Sequence, residues 1–162
     1  MKQIMNLIRT YGVKDFFWKS YEKINSPMKK YSTEYQKYLP DEQEIQKQWQ
    51  TSFSLEPRIS IIVPAYETNV VFLEQLIQSI KEQTYPDWQL CIADGSISDT
   101  VEKYIDSHCR SEERIIYKHL RSNGGIAANT NAAIEMACGE YICFVDHDDI
   151  LTPNALFEMV SA

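Results

Sequence analysis

Residues 124–154 read GGIAANTNAAIEMACGEYICFVDHDDILTPN, and the way this stretch divides decides the fold. An alanine-rich helix follows the glycine pair, and Gly139 stands where it can end that helix. The apolar run YICFV is a short buried strand, which stops abruptly at Asp146, Asp148 and Asp149 around His147. Thr152 then reads as an N-cap and Pro153 as the first residue of another helix. Three carboxylates at one strand end raise one another's pKa or require a cation. A hard divalent ion with oxygen ligands meets that need and completes its shell with substrate phosphates. His147 is read as facing the other way and filling space, and Asp149 as either a member of the acidic group or a residue that favours the next helix dipole. An EF-hand is excluded, because D-H-D-D lacks the alternating oxygens and the glycine of that loop.

The same alternation extends backwards. RISIIV from residue 58 is a buried strand, and Val70, Leu73, Leu76, Ile77 and Ile80 mark one face of a helix that TYPD breaks. WQLCIA is a second strand, a helix runs from about Ser98 to Cys109, and RIIYKHL is a third strand. The order β-α-β-α-β-α-β-α, with strands apolar on both faces, predicts an α/β fold: a parallel sheet covered by helices on both sides. Residues 1–56 differ. They predict a mainly helical extension with a linker at 25–44, and a short helix in DEQEIQKQWQTSF, before the domain at 57–162.

In open parallel sheets ligands bind beyond the carboxyl ends of the strands, and the unusual polar residues fall there. The first strand ends in Pro64, Ala65, Tyr66 and Glu67, and the second in Asp94, Gly95 and Ser96 with Asp99 close behind. The third leads into Ser122, Asn123, Gly124 and Gly125, and the fourth into the acidic group. Four loops are therefore expected to converge on one rim. Gly124-Gly125 reads as a tight turn or as a helix start close to an anion; Tyr66 reads as a packing or a binding residue.

Charge narrows the function classes. A formal net charge of −7 on 162 residues argues against a nucleic-acid binder. Residues 1–31 nevertheless carry seven Lys and Arg against two acids, a local +5, with Phe16, Phe17, Trp18 and Tyr21 among them. That segment is expected to pack as short helices or to make peripheral membrane contact. Cys91, Cys109, Cys138 and Cys143 show neither CxxC nor zinc-site spacing, which predicts free thiols and a cytoplasmic setting, with any membrane contact at the inner face.

ISIIVPAYE, LIQSIKEQTYPDWQLCIADGSISD and NGGIAANTNAAIEMACGEYICFVDHDDILTPNAL resemble, in order and spacing, the Rossmann-like nucleotide-binding half of family 2 glycosyltransferases of the GT-A fold. The resemblance covers residues 57–162. It implies that Pro64, Ala65, Tyr66 and Glu67 line a nucleoside pocket and that Asp94 bonds the base with Ser96 beside it. Asn123, Gly125 and Asn129 match the segment near ribose and diphosphate. Asp146 would contact the ribose or sugar side, and Asp148, with Asp146, would hold Mn2+ or Mg2+. Ala93 departs from the family's frequent acidic pair, and the turn from Ser96 to Asp99 looks one residue longer than the common form.

The resemblance implies a donor-binding domain for a nucleotide-diphosphate sugar, UDP- or dTDP-linked, serving an inverting transfer to a glycan or lipid-linked acceptor. Family members continue past the point matching Ala162 with the acceptor site and a general base. The chain is therefore expected to be an incomplete, self-associating fragment that is inactive alone. A non-catalytic nucleotide-sugar-binding module is the alternative. A nucleotidyltransferase is disfavoured, because Pro64-Ala65-Tyr66-Glu67 is neither glycine-rich nor basic.

Overall fold

The computed structural model describes residues 39–162, and the compact unit holding the sheet runs from Pro40 to Ala162. The expected helices and membrane-contacting segment at 1–31 lie outside the described residues. The chain runs α1 (Glu42–Trp49), β1 (Ile59–Ala65), α2 (Val70–Lys81), β2 (Trp88–Asp94), α3 (Thr100–His108), β3 (Ile115–His119), α4 (Ile126–Ile134), β4 (Tyr141–Phe144) and α5 (Ala155–Ser161). The four strands are parallel in the order β3-β2-β1-β4, which is the expected Rossmann-like α/β arrangement.

Strand alternation sorts the core into two layers. Ile59, Ile61, Val63 and Ala65 of β1 face one side with Leu90 and Ile92 of β2, where Leu73, Leu76, Ile77 and Ile80 of α2, Val101 and Ile105 of α3, and Leu156 of α5 cover them. On the other side Ile62, Cys91 and Ala93 meet Ala133 of α4. α1 begins because Asp41 accepts the Glu44 N–H at 2.8 Å. It joins the body through Thr84, whose hydroxyl donates to Gln48 Oε1 at 2.8 Å. Among the described residues no helix is long and apolar enough to cross a membrane. All four cysteines are free, as their spacing suggested.

Three expectations are corrected. Burial on both faces holds for β1 and β2 but not for the edge strands: Tyr141 and Phe144 of β4 are 58% and 60% exposed. α4 ends at Ile134, well before Gly139, because buried Gln89 captures the following turn. Its Nε2 donates to Met136 O at 3.2 Å and its Oε1 accepts the Cys138 N–H at 3.0 Å. α5 starts after Asn154 rather than after Thr152. The Pro153 carbonyl instead accepts the Thr84 N–H at 2.8 Å, and Thr152 O accepts the Ala155 N–H in a turn.

Gly139 is required for a different reason from helix termination. Its N–H donates to Ser60 Oγ at 2.9 Å, and a Cβ there would lie 2.4 Å from Arg58 O. A Gly139→Ala substitution is expected to cost about 1–3 kcal/mol through overpacking, read as a lower urea midpoint at unchanged m-value. An unchanged midpoint would show that β4 shifts away from β1 without penalty.

Candidate functional site

The carboxyl ends of β1 and β4 and the start of α4 enclose a cavity of about 350 Å3. Pro64, Ala65 and Tyr66 form one wall, and Asn123, Gly125, Ile126 and Asn129 a second. Asp146, His147 and Asp148 form the third. Three of the four expected loops therefore converge; the loop after β2 does not line this cavity.

Local chemistry shapes the second wall. Gly125 has φ of +81°, a left-handed conformation that favours glycine. Its N–H donates to Asn123 Oδ1 at 2.9 Å, and its carbonyl accepts the Asn129 N–H at 3.0 Å to start α4. No side chain caps that helix start, so first-turn N–H groups are left for a ligand or water. Asn129 is 2% exposed. Its Nδ2 donates to Ala65 O at 3.3 Å and Asn123 Oδ1 at 3.2 Å, which ties the two walls together. Gly95 lies beneath, where a Cβ would meet Asn129 Nδ2 at 2.7 Å.

Two buried polar atoms on the cavity wall have no protein partner among the described residues: Asn129 Oδ1 and His147 Nδ1. Buried polar atoms are nearly always satisfied, so both mark places for a ligand group or water. His147 was expected to face away. β4 ends at Phe144, so its alternation no longer governs His147, which is among the residues lining the cavity. The acidic group also differs from its reading as three mutually crowded carboxylates. Among the described residues no three His, Cys, Asp or Glu side chains gather as a metal cluster. Asp146 and Asp148 line the cavity while Asp149 does not. All three are solvent-exposed, and none forms an ion pair with a described Lys or Arg.

Asp94, Ser96 and Glu67 form a separate, adjoining network. Asp94 is fully buried. Its Oδ1 accepts the Ser96 N–H at 2.9 Å and the Ser96 hydroxyl, and its Oδ2 accepts the Tyr117 hydroxyl at 2.9 Å. Burial, then donation to Asp94, pushes the Tyr117 phenol pKa up. Ser96 Oγ accepts the Glu67 N–H at 2.7 Å. Glu67, at φ of 47°, accepts the Ile97 N–H at 2.7 Å and the Ser98 hydroxyl at 3.0 Å. The Ile97 and Ser98 N–H groups hold its carboxyl below the usual range. Glu67 thus fastens the turn after β2 to the loop after β1.

His119, which the sequence did not single out, closes this network. One ring nitrogen faces Glu102 Oε2 at 3.3 Å and the other Ser96 O at 3.0 Å. Both partners are acceptors, so the doubly protonated ring suits them. The Glu102 hydrogen bond, then the Ser96 carbonyl, raises its pKa.

The parallel sheet and its helices define a Rossmann-like α/β domain. Residues 60–162 match the model of glycosyl transferase family 2, and the chain belongs to that family. It is 33% identical over 98 residues to the glycosyltransferase GlyG of Streptococcus pneumoniae, covering 60% of this chain and 32% of GlyG. It is 33% identical over 102 residues to the GalNAc(5)-diNAcBac-PP-undecaprenol β-1,3-glucosyltransferase of Campylobacter jejuni, covering 62% of this chain and 32% of that enzyme. The structure of S. aureus TarS 1-349 in complex with UDP-GlcNAc superposes with a TM-score of 0.58 at 27% identity, over 64% of this chain and 30% of TarS 1-349. The chain thus spans about a third of the length of these relatives.

Because the folded-state pKa of His119 is raised, its stabilising contribution is complete below the ordinary imidazole value near 6.5 and is lost as pH rises through the folded-state value. Urea midpoints measured from pH 6 to 8 should therefore fall with pH more steeply in the parent chain than in His119→Gln. Parallel profiles would remove the charged imidazole from this loop.

Proposed function

We propose that the cavity is the donor site of a glycosyltransferase and takes the diphosphate and ribose of a nucleotide-activated sugar. The observation that carries this reading is the convergence of Asp146 and Asp148 with the uncapped start of α4 at the carboxyl rim of the sheet. The GlyG and TarS likenesses support it, and the complex of TarS 1-349 with UDP-GlcNAc favours a UDP-linked donor over a dTDP-linked one.

The residues present fit a divalent cation. Two exposed carboxylates without a basic partner among the described residues meet a cavity that also holds two orphaned polar atoms. Asp148, with Asp146 beside it, would hold Mn2+ or Mg2+; such an ion neutralises charge on a departing nucleoside diphosphate. The first-turn N–H groups of α4 attract phosphate oxygens. Asn129 holds the Ala65 and Asn123 walls together around the ribose and diphosphate. Pro64, Ala65 and Tyr66 shield one side of the donor from water, and Asp94, Ser96 and Glu67 hold the neighbouring turn that meets the base. Attack by an acceptor hydroxyl in line with the departing diphosphate inverts the anomeric centre. A glycan or lipid-linked acceptor, as in the undecaprenol-linked substrate that names the Campylobacter jejuni relative, and a cytoplasmic setting complete the reading.

Isothermal titration with UDP, with Mn2+ and then with EDTA, tests the site. Mn2+ should raise affinity about tenfold or more, equal to about 1.4 kcal/mol, and Asp148→Asn should abolish that gain. Parent-like Mn2+ dependence in Asp148→Asn would sink the assignment.

A further inference from the structure

The acidic loop is a short span hung between two anchors. At its start, the Val145 N–H donates to Ile62 O of β1 at 3.1 Å. Among the described residues, 146–150 make one hydrogen bond of their own, from Asp149 N–H to Asp146 O at 3.2 Å. The second anchor lies beyond the loop, and it is built from the end of α2.

Gln83 follows α2 and is 6% exposed. Its Nε2 donates to Thr152 O at 2.7 Å and to Ser79 O at 3.0 Å. Its Oε1 accepts the Leu156 N–H at 3.0 Å. Ser79 Oγ accepts the Leu151 N–H at 3.2 Å, and the Thr84 N–H donates to Pro153 O at 2.8 Å. Residues 151–156 are thus tied down at four backbone atoms, two of them by one amide. Only a side chain with a donor and an acceptor at one tip serves both a carbonyl and a first-turn N–H.

We propose that Gln83 is the positioning residue of the donor site: its amide fixes the segment after the acidic loop and so sets where Asp146 and Asp148 stand over the cavity. Gln83 does not line the cavity, so it acts only through the loop. Methionine in its place keeps the volume and loses both bonds. Glutamate keeps the acceptor for Leu156 and turns an oxygen toward the Thr152 and Ser79 carbonyls.

The proposal rests on the donor-site reading, and two measurements separate them. In the first, the parent, Gln83→Met and Gln83→Glu chains are titrated with UDP in Mn2+ and in EDTA. Gln83→Met should bind UDP in EDTA as the parent does and lose most of the Mn2+ gain, because lost support behind a metal ligand typically weakens the metal about 10–100-fold. Gln83→Glu should lose at least as much. A variant that melts at lower temperature yet keeps the full Mn2+ gain would reduce Gln83 to a packing residue and overturn the proposal. In the second, backbone amide exchange is followed without any ligand. Exchange should accelerate in Gln83→Met at the hydrogen-bonded N–H groups of Asp149, Leu151 and Leu156 while β1 and α4 keep parental rates; unchanged rates at Asp149 and Leu151 would overturn positioning. If the parent itself gains nothing from Mn2+, the donor-site reading fails, and the exchange data alone decide for or against positioning. Should Gln83→Met not fold, Ser79→Ala removes the Leu151 anchor, along with the hydroxyl's bond to Leu76 O within α2; the same pattern at smaller size supports the proposal, and its absence overturns it.

Discussion

Strand β1 hydrogen-bonds to β2 along one edge and to β4 along the other, and helices cover both of its faces. Ile61, Ile62 and Val63 have no exposed surface, and each such side chain contributes about 1.5–3 kcal/mol by burial. That double constraint gives β1 no freedom to shift, so its carboxyl end is a fixed reference. Ala65 O receives the Gly95 N–H and the Asn129 amide, and Ile62 O receives the Val145 N–H. Three of the rim segments are thus located by bonds to one strand. Those bonds bring Pro64, Asn123 and Asp148 to one cavity even though they lie far apart along the chain.

Buried polar side chains do the remaining joining, and three are glutamines. Gln89 accepts the Ser60 hydroxyl at 2.9 Å and holds the turn between α4 and β4. Gln83 holds the segment between β4 and α5. Gln48 binds α1 to the same region through Thr84. An unsatisfied amide in such places costs about 1–3 kcal/mol, so each glutamine admits very few backbone arrangements around it. The apolar layers hold the sheet together, and the amides decide where the connections run.

The rim divides into two chemically different halves. Asp94, Ser96, Glu67 and Tyr117 form a closed network whose partners are mostly protein, which makes the turn after β2 rigid. Asp146, Asp148, His147 and Asn129 are the open half, with carboxylates in solvent and two polar atoms still without partners. A rigid closed half beside an open one suits a site that holds its shape while waiting for a charged ligand.

Much of this was legible along the chain. The uncharged runs of β1 and β2, the period of α2 and the abrupt stop of β4 at carboxylates each carry a local signal: burial forces apolarity, a helix repeats every 3.6 residues, and a sheet ends where ligands bind. Hence the parallel α/β fold and the rim positions of Pro64, Asn123 and Asp148 followed from the residues alone, while Asn129 entered through the family resemblance. Only the tertiary structure decided that His147 joins the cavity lining, that Glu67 reaches the next loop and that α4 stops short of Gly139. It alone showed that Gln83 grips Thr152, a residue 69 positions away. Apolar periodicity is a property of neighbours in sequence. A hydrogen bond from one buried amide depends on which backbone the sheet happens to bring beside it.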